Sequence, residues 1–594
     1  MHPSISSKEF RTEKRLFGLL LCVCLSMVNN LEAQNVESIG PGLRQFTQPR
    51  IGVNGGINLA TNFYTASSID PRRDQFQWMA NINLNLALGP INAPFSLTFA
   101  DGNEQFNLPS YTFTGISPTY KWATLHAGDR SMFFSRYTMS GINFRGVGLE
   151  LTPGKFLFKG MYGRLNRAVA EDLNARQMLN PSYERTGYGF SAGYEIPGLS
   201  INTILFGAND DETSITDPLN SDITPAQNLV ASISAKKAFS NKVLLDAEFA
   251  RSALNEDRRT NQALDEFSGV GNRFLGLFTP TETAVYGNAF NSGVTLNQKT
   301  YSLRLGYEQI DRGFRTLGTI FFNRDLVHYT GTLSTRLFKN KVSLALRGGL
   351  ETTNRQDLTK PTNDRVVASV NATYNPSSRL VFNGSFSNFE NSTKIRAREN
   401  PAVFVDSLFL AQLTQSFTFS SSYNLREKFN PTTLTLVYSH QSANSVQDDI
   451  VIQDAKSRFN NASLIFNQRI TEADLNWTAS INYNLSNFGD ISTTTVSPTL
   501  MFNKLFFARK LSSNLRLTYN AVSVEGGNNS TVLNAAWSNS WAFTKTQNIG
   551  LTLNFINRGG TEGEGLGDFS ELYGRILYNY QFNASIGKPK TGDQ

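Results

Sequence analysis

The sequence predicts an all-β protein: a transmembrane, antiparallel, up-and-down β-barrel of about 26 strands, give or take about four. Three observations carry this expectation. Segments of about ten residues alternate apolar and polar side chains at period two along most of the chain. Past the N-terminal segment, no stretch approaches the roughly 18 to 20 consecutive apolar residues of a helical span, so a membrane crossing must use a closed sheet. The connections between segments also alternate in length, which matches short periplasmic turns and long extracellular loops.

The chain opens with Lys8, Arg11, Lys14 and Arg15, then an apolar run over 16–28 and the polar residues Asn29, Asn30, Leu31, Glu32 and Ala33. This is the order of a secretory signal peptide, expected over 1–33 with cleavage after Ala33. Both cysteines, Cys22 and Cys24, fall inside it. The mature chain is therefore expected to hold neither a disulfide nor a thiolate-bound metal. Residues 34–50 are expected to form a short periplasmic segment, 51–582 the barrel and 583–594 a periplasmic tail.

The alternation is legible in individual segments. Ile82, Leu84, Leu86 and Leu88 interleave with Asn81, Asn83 and Asn85. Tyr301, Leu303, Leu305 and Tyr307 alternate with Ser302, Arg304, Gly306 and Glu308. Leu475, Trp477, Ala479, Ile481, Tyr483 and Leu485 alternate with a Ser, Thr and Asn face. A soluble sandwich has the same alternation but shorter strands, typically about five or six residues, and does not end its apolar faces in aromatics. Tight turns are expected at 89–94, 152–155, 196–199, 239–242, 338–341, 375–378, 470–474, 508–510 and 544–547, where Pro, Gly, Asn and Ser supply turn chemistry. Longer loops are expected at 129–141, 166–186, 209–226, 254–297, 353–364, 391–408, 445–456 and 557–568. Within 254–297, a segment such as 284–290 reads either as an extra strand or as loop. The turns over 101–128 are indistinct.

Only 17% of residues are charged, against about 25% in an average globular chain. The formal net charge is +7, and loss of the expected signal leaves +6. Lys394, Arg396 and Arg398 share one long loop, and Arg355, Lys360 and Arg365 lie near another, where they would attract anionic solutes or lipopolysaccharide phosphates. Nothing resembles a nucleic-acid module, and an exported chain has no nucleic-acid partner to meet.

Selectivity in a barrel is set by the inward face. Parity places Glu150, Lys159, Asp246, Glu248, Arg304, Glu308, Arg347, Glu351, Arg516 and Arg575 there, giving a hydrated interior of mixed sign. The longest loop, 254–297, carries Glu256, Asp257, Arg258 and Arg259 and is expected to fold inward as a constriction. Met132, Phe133 and Phe134 with Tyr137 form an aromatic loop suited to solute or partner contact, or to a packed loop core.

Catalytic chemistry has little support. His126, His328 and His440 are dispersed, so no histidine metal site is expected. His440 and Ser442 lie two apart on one face of a strand, together with Leu434, Leu436 and Tyr438. They resemble the histidine and serine of the outer-membrane phospholipase A family, but Ala443 and Asn444 replace that family's Asn-Gly continuation. The glycines at 559, 560, 563, 565 and 567 lack a following lysine and read as loop. No catalytic residue, metal or cofactor is expected.

Leu572, Gly574, Ile576, Tyr578, Tyr580 and Phe582 resemble the C-terminal assembly signal of outer-membrane proteins, which implies outer-membrane assembly machinery as a partner beside the bilayer and lipopolysaccharide. Only residues 34–50 precede the barrel, whereas TonB-dependent transporters carry a large plug domain there. The large lipopolysaccharide-insertion barrel has a similar strand number but also a periplasmic domain and cysteines, both missing here. The Asn-rich strands and the Ala-Gln junction resemble the unplugged, porin-like outer-membrane barrels of Gram-negative Bacteroidota. That resemblance implies passive transport of small hydrophilic solutes. Because barrels of about 22 strands are already plugged, the alternative is a structural or secretion-associated barrel whose lumen is occupied by a plug or partner protein.

Overall fold

The computed structural model describes residues 51–586 except 89–90, 101–112, 172–180, 217–222, 262–273, 320–323, 354–361, 396–407, 448–449, 528 and 561–566. The expected signal peptide, the segment 34–50, residues 587–594, Arg355, Lys360, Arg396, Arg398, Gly563 and Gly565 lie outside the described residues.

Twenty-six antiparallel strands close into one barrel. The first thirteen are β1 (Ile51–Ser67), β2 (Phe76–Leu88), β3 (Ile91–Ala100), β4 (Phe113–Ile116 and Thr119–Tyr120), β5 (Ala123–Ser131), β6 (Asn143–Leu151), β7 (Phe156–Asn166), β8 (Glu184–Ile196), β9 (Leu199–Asp211), β10 (Gln227–Ser240), β11 (Val243–Asn255), β12 (Ala284–Asn297) and β13 (Tyr301–Ile310). The rest are β14 (Leu326–Leu337), β15 (Val342–Thr353), β16 (Thr362–Tyr374), β17 (Leu380–Ile395), β18 (Leu408–Arg426), β19 (Thr432–Gln447), β20 (Ile450–Ile470), β21 (Leu475–Phe488), β22 (Ile491–Phe506), β23 (Leu511–Val524), β24 (Ser530–Ala542), β25 (Gln547–Gly560) and β26 (Phe569–Ile586). β1 pairs with β26 from Ile51 against Ile586 to Ser67 against Ser570, so the seam runs the whole length of β1. Closure removes the free edge that an open sheet would expose to lipid.

The indistinct region before residue 128 contains a broken strand. β4 is interrupted at Ser117 and Pro118, and both of its halves bridge β3 and β5. Proline has no N–H to give to the ladder, and the Pro118 carbonyl instead accepts from Leu125 N at 2.9 Å. Several boundaries differ from the sequence reading. Residues 284–297 form β12, so the longest loop is 256–283. β19 and β20 run on through most of 445–456, leaving only 448–449 between them. β26 continues past Phe582, where Asn583 to Ile586 pair with Asn54 to Ile51, so the tail begins four residues later than expected.

Short connections such as 121–122, 197–198 and 241–242 lie at one end and long ones such as 167–183, 212–226 and 256–283 at the other. Large apolar side chains such as Phe190, Leu305, Leu350 and Ile481 stand exposed on one face of the sheet. In water such a continuous surface would drive aggregation, whereas in a bilayer it is the lipid-facing band of a transmembrane barrel. Aromatic pairs recur on this face near the short turns, at 5.4 Å for Phe156 and Tyr194, 6.1 Å for Tyr374 and Phe382, and 5.1 Å for Phe466 and Trp477. Tyr307 contacts both Phe290 and Tyr329 higher on the strands. These pairs occupy the interfacial levels where amphipathic rings sit.

The close-packed core lies between the barrel wall and two loops that fold inside it. The loop 132–142 places Met132, Phe134 and Met139 against Phe144, Met161, Ile204, Phe206 and Ala208 of the inner face. The loop 311–325 returns across β10 to β12, where Phe314 packs with Tyr137, Val230, Ala250 and Ala289. The two loops meet in a short parallel pairing of Met139 and Ser140 with Gly318 and Thr319.

Candidate functional site

The inward loops form a liner along β6 to β13. Tyr137 is fully buried; its hydroxyl donates to Glu308 Oε1 at 2.7 Å and accepts from Asn291 Nδ2 at 3.1 Å. Its ring meets Phe314 edge-on at 5.9 Å. Asn228 fixes the returning loop, donating to Arg315 O at 3.1 Å and accepting from Leu317 N at 3.0 Å. Gly287 makes this approach possible, since a Cβ there would stand 2.0 Å from Phe314 N. The aromatic loop is thus a packed liner, although Phe133 remains 59% exposed. Sequence reading did not single out 311–325, because the residues Phe314 packs on, Tyr137, Val230 and Ala250 among them, are distant in sequence.

All ten lumen candidates fall on the face opposite the exposed apolar one. They divide into two walls. On the lined wall the charges are paired. Arg304 meets Asp246 with two bonds of 2.7 and 2.9 Å, and Glu248 accepts from Ser232 at 2.6 Å. Glu308 also holds Arg136 at 2.9 Å, and just beyond the liner, on β14 to β16, Glu351 holds Arg365 at 3.2 Å with His328 at 4.0 Å. Glu150 lies 3.6 Å from Lys159 and 3.3 Å from His126 Nε2, while His126 Nδ1 contacts Ser117 Oγ at 2.8 Å. Sequence reading missed this Ser117 and His126 network, because only the break in β4 brings the two together.

The other wall is cationic. Arg516 and Arg575 are exposed there and, like Arg347 on β15, make no ion pair among the described residues. The loop 68–75 between β1 and β2 brings Arg72 and Arg73 to the same side. Together with Arg516, Asn534, Asn554 and Tyr573 they line a recess of about 560 Å³. Glu571 is its one carboxylate; it accepts from Tyr64 at 2.6 Å and lies 3.7 Å from Arg72. Arg72 rests on the Phe569 ring at 5.0 Å and Arg73 on the Tyr573 ring at 5.2 Å. Towards the short turns a second recess of about 310 Å³ is lined by Arg575 with Asn514, Ser538, Asn548, Thr552 and Asn579. Sequence reading placed Arg516 and Arg575 inside but not Arg72 and Arg73, which belong to a loop rather than to the alternation.

The described parts of the expected constriction loop, 256–261 and 274–283, contact both the wall and the returning loop 311–319. Phe274 and Phe278 pack on Leu229 and Ala253, outward-facing residues of β10 and β11. Glu256 pairs with Arg315 at 2.8 Å, and Arg258 donates to Asp210 O at 2.7 Å. Asp257 binds Arg259 at 2.9 Å, and the Arg259 guanidinium holds its carboxyl below the usual carboxylate range. The inward packing found among the described residues comes from 132–142 and 311–319 instead, because those loops carry the apolar side chains that match the inner wall.

On the outer face, His440 Nδ1 contacts Asn460 Oδ1 at 2.8 Å, and the nearby Ser442 is buried. Among the described residues no group of three or more His, Cys, Asp or Glu side chains is arranged to hold a metal ion.

No known protein family matches the sequence, and no curated protein does. Solved structures of similar fold include the P pilus usher PapC translocation pore, 12% identical over 89% of this chain and 99% of that one, with a TM-score of 0.37. Another is OccAB4 of Acinetobacter baumannii, 12% identical over 67% of this chain and 98% of that one, at 0.30. A third is the ferric yersiniabactin uptake receptor FyuA from Yersinia pestis, 12% identical over 89% and 80%, at 0.37.

Proposed function

We propose that this barrel is a non-enzymatic, porin-like pore of a Gram-negative outer membrane that passes small hydrophilic solutes passively. On this reading it reaches that membrane through a cleaved signal peptide and the outer-membrane assembly machinery, and meets lipopolysaccharide at its outer leaflet. The observation that carries the reading is the division of the lumen. The described inward loops cover only the wall from β6 to β13. The wall from β23 to β26 keeps amides, hydroxyls and unpaired guanidinium groups exposed. A hydrated wall opposite a packed liner narrows a wide barrel without filling it.

Planar-bilayer conductance of the purified mature chain, with a reversal potential in asymmetric KCl, tests this. A steady open channel with mild anion selectivity supports the pore. A closed barrel, or a stoichiometric partner copurified from native membranes, would replace it with the partner-filled barrel.

A further inference from the structure

Resting on the pore reading, we infer that the recess between the 68–75 loop and β23 to β26 is a solute-binding subsite for small hydroxylated carboxylates, such as sugar acids. Three guanidinium groups, from Arg72, Arg73 and Arg516, share it with the single carboxylate of Glu571. That carboxylate accepts from the Tyr64 hydroxyl at 2.6 Å and lies 3.7 Å from the Arg72 guanidinium, so it offsets one of the three charges and leaves Arg73 and Arg516. The excess positive charge therefore lacks a protein counter-ion within the recess. A guanidinium fork matches a carboxylate with two parallel hydrogen bonds, which a neutral solute cannot use.

The remaining lining sets the rest of the ligand. Asn534, Asn554 and Thr518 offer donors and acceptors to hydroxyl groups. The aromatic rings are already covered, since Phe569 lies under Arg72 and Tyr573 under Arg73. This leaves hydrogen bonding rather than stacking as the means of recognition. A volume of about 560 Å³ suits a monosaccharide with its water, and binding pockets commonly span about 300 to 1,000 Å³. Arg575 lines the next recess towards the short turns. It supplies a second cation to receive the anion as it leaves, as conduction through weak successive sites requires.

The test is binding of D-glucuronate to the purified full-length barrel in detergent, followed by saturation-transfer NMR with D-glucose as the neutral control. Channel conductance in KCl is recorded on the same preparation. Glucuronate is expected to bind saturably and glucose not. Arg72→Ala and Arg516→Ala are each expected to weaken glucuronate roughly tenfold, the loss of one charge-assisted contact. Lys339→Ala, in the exposed short turn 338–341, is expected to leave it unchanged. Glu571→Gln removes the competing charge and is expected to tighten binding, a gain that misfolding cannot imitate. An open channel that binds glucuronate no better than glucose, or indifferently to these variants, overturns the subsite alone. A closed barrel that still binds glucuronate overturns the pore alone.

Discussion

The Tyr137 hydroxyl donates to Glu308 Oε1 at 2.7 Å across 171 residues of sequence, tying the inward loop 132–142 to strand β13. Glu308 is only 7% exposed, and its partners are this hydroxyl and Arg136 at 2.9 Å. Tyr137→Phe keeps the ring and removes the donor. Leaving a buried acceptor short of a partner costs about 1–3 kcal/mol. Lower thermal stability together with noisier open-channel current is expected. Unchanged noise would show that packing alone holds the loop.

Phe314→Ala tests the packing directly. Its ring is fully buried among Tyr137, Val230, Ala250 and Ala289. Truncating such a residue typically costs about 3–5 kcal/mol. Because the loop 311–325 is held to the wall rather than built into the sheet, the loss should release the loop before it opens the barrel. Single-channel conductance is expected to rise while the folded barrel keeps its gel mobility. An unchanged conductance would place the narrowest point elsewhere.

The barrel was legible because lipid enforces alternation. A polar residue at Leu305 or Ile481 would face hydrocarbon, so period two survives along nearly every strand. Strand direction followed from turn chemistry at places such as 196–199 and 239–242. The liner was legible only in part. The Met132 to Tyr137 cluster was evident as an aromatic loop, but its destination depends on contacts with Phe206, Glu308 and Phe314, all distant in sequence. For the loop 256–283, charge density gave no hint that Phe274 and Phe278 pack on Leu229 and Ala253 of the wall. Arg72 and Arg73 escaped notice because no periodicity governs a loop, and only closure of β1 on β26 brings them near Glu571.

The turn 507–510 holds Phe507, Ala508 and Arg509 at φ values of 53°, 51° and 67°. Three successive non-glycine residues in the left-handed region carry strain of roughly 1 kcal/mol or more each. Arg509 uses the conformation to reach Asp474 at 3.0 Å, but no contact of Ala508 needs its Cβ. Ala508→Gly is therefore expected to relieve strain and raise thermal stability by up to about 1 kcal/mol, after the greater unfolded-state freedom of glycine is offset. A lower melting temperature would mean that the turn relaxes the strain by other means.

At the end of the barrel that carries the long loops, Arg259 donates to Asp257 from Nε at 3.0 Å and from Nη2 at 2.9 Å, which depresses the Asp257 carboxyl. A depressed carboxyl contributes stability above its unfolded value and loses it as pH falls through its folded value. The Asp257 carbonyl meanwhile accepts from Thr281 and Thr283 hydroxyls at 3.2 and 3.0 Å, so the ionised side chain steadies the bridge between the two ends of the loop. Hydrogen-exchange protection of Asp257 and Thr281 amides is expected to fall in Asp257→Asn at neutral pH. In acid, below the folded value, wild type and variant should converge. A difference that persisted in acid would assign the effect to the acceptor oxygen lost in Asn rather than to the charge.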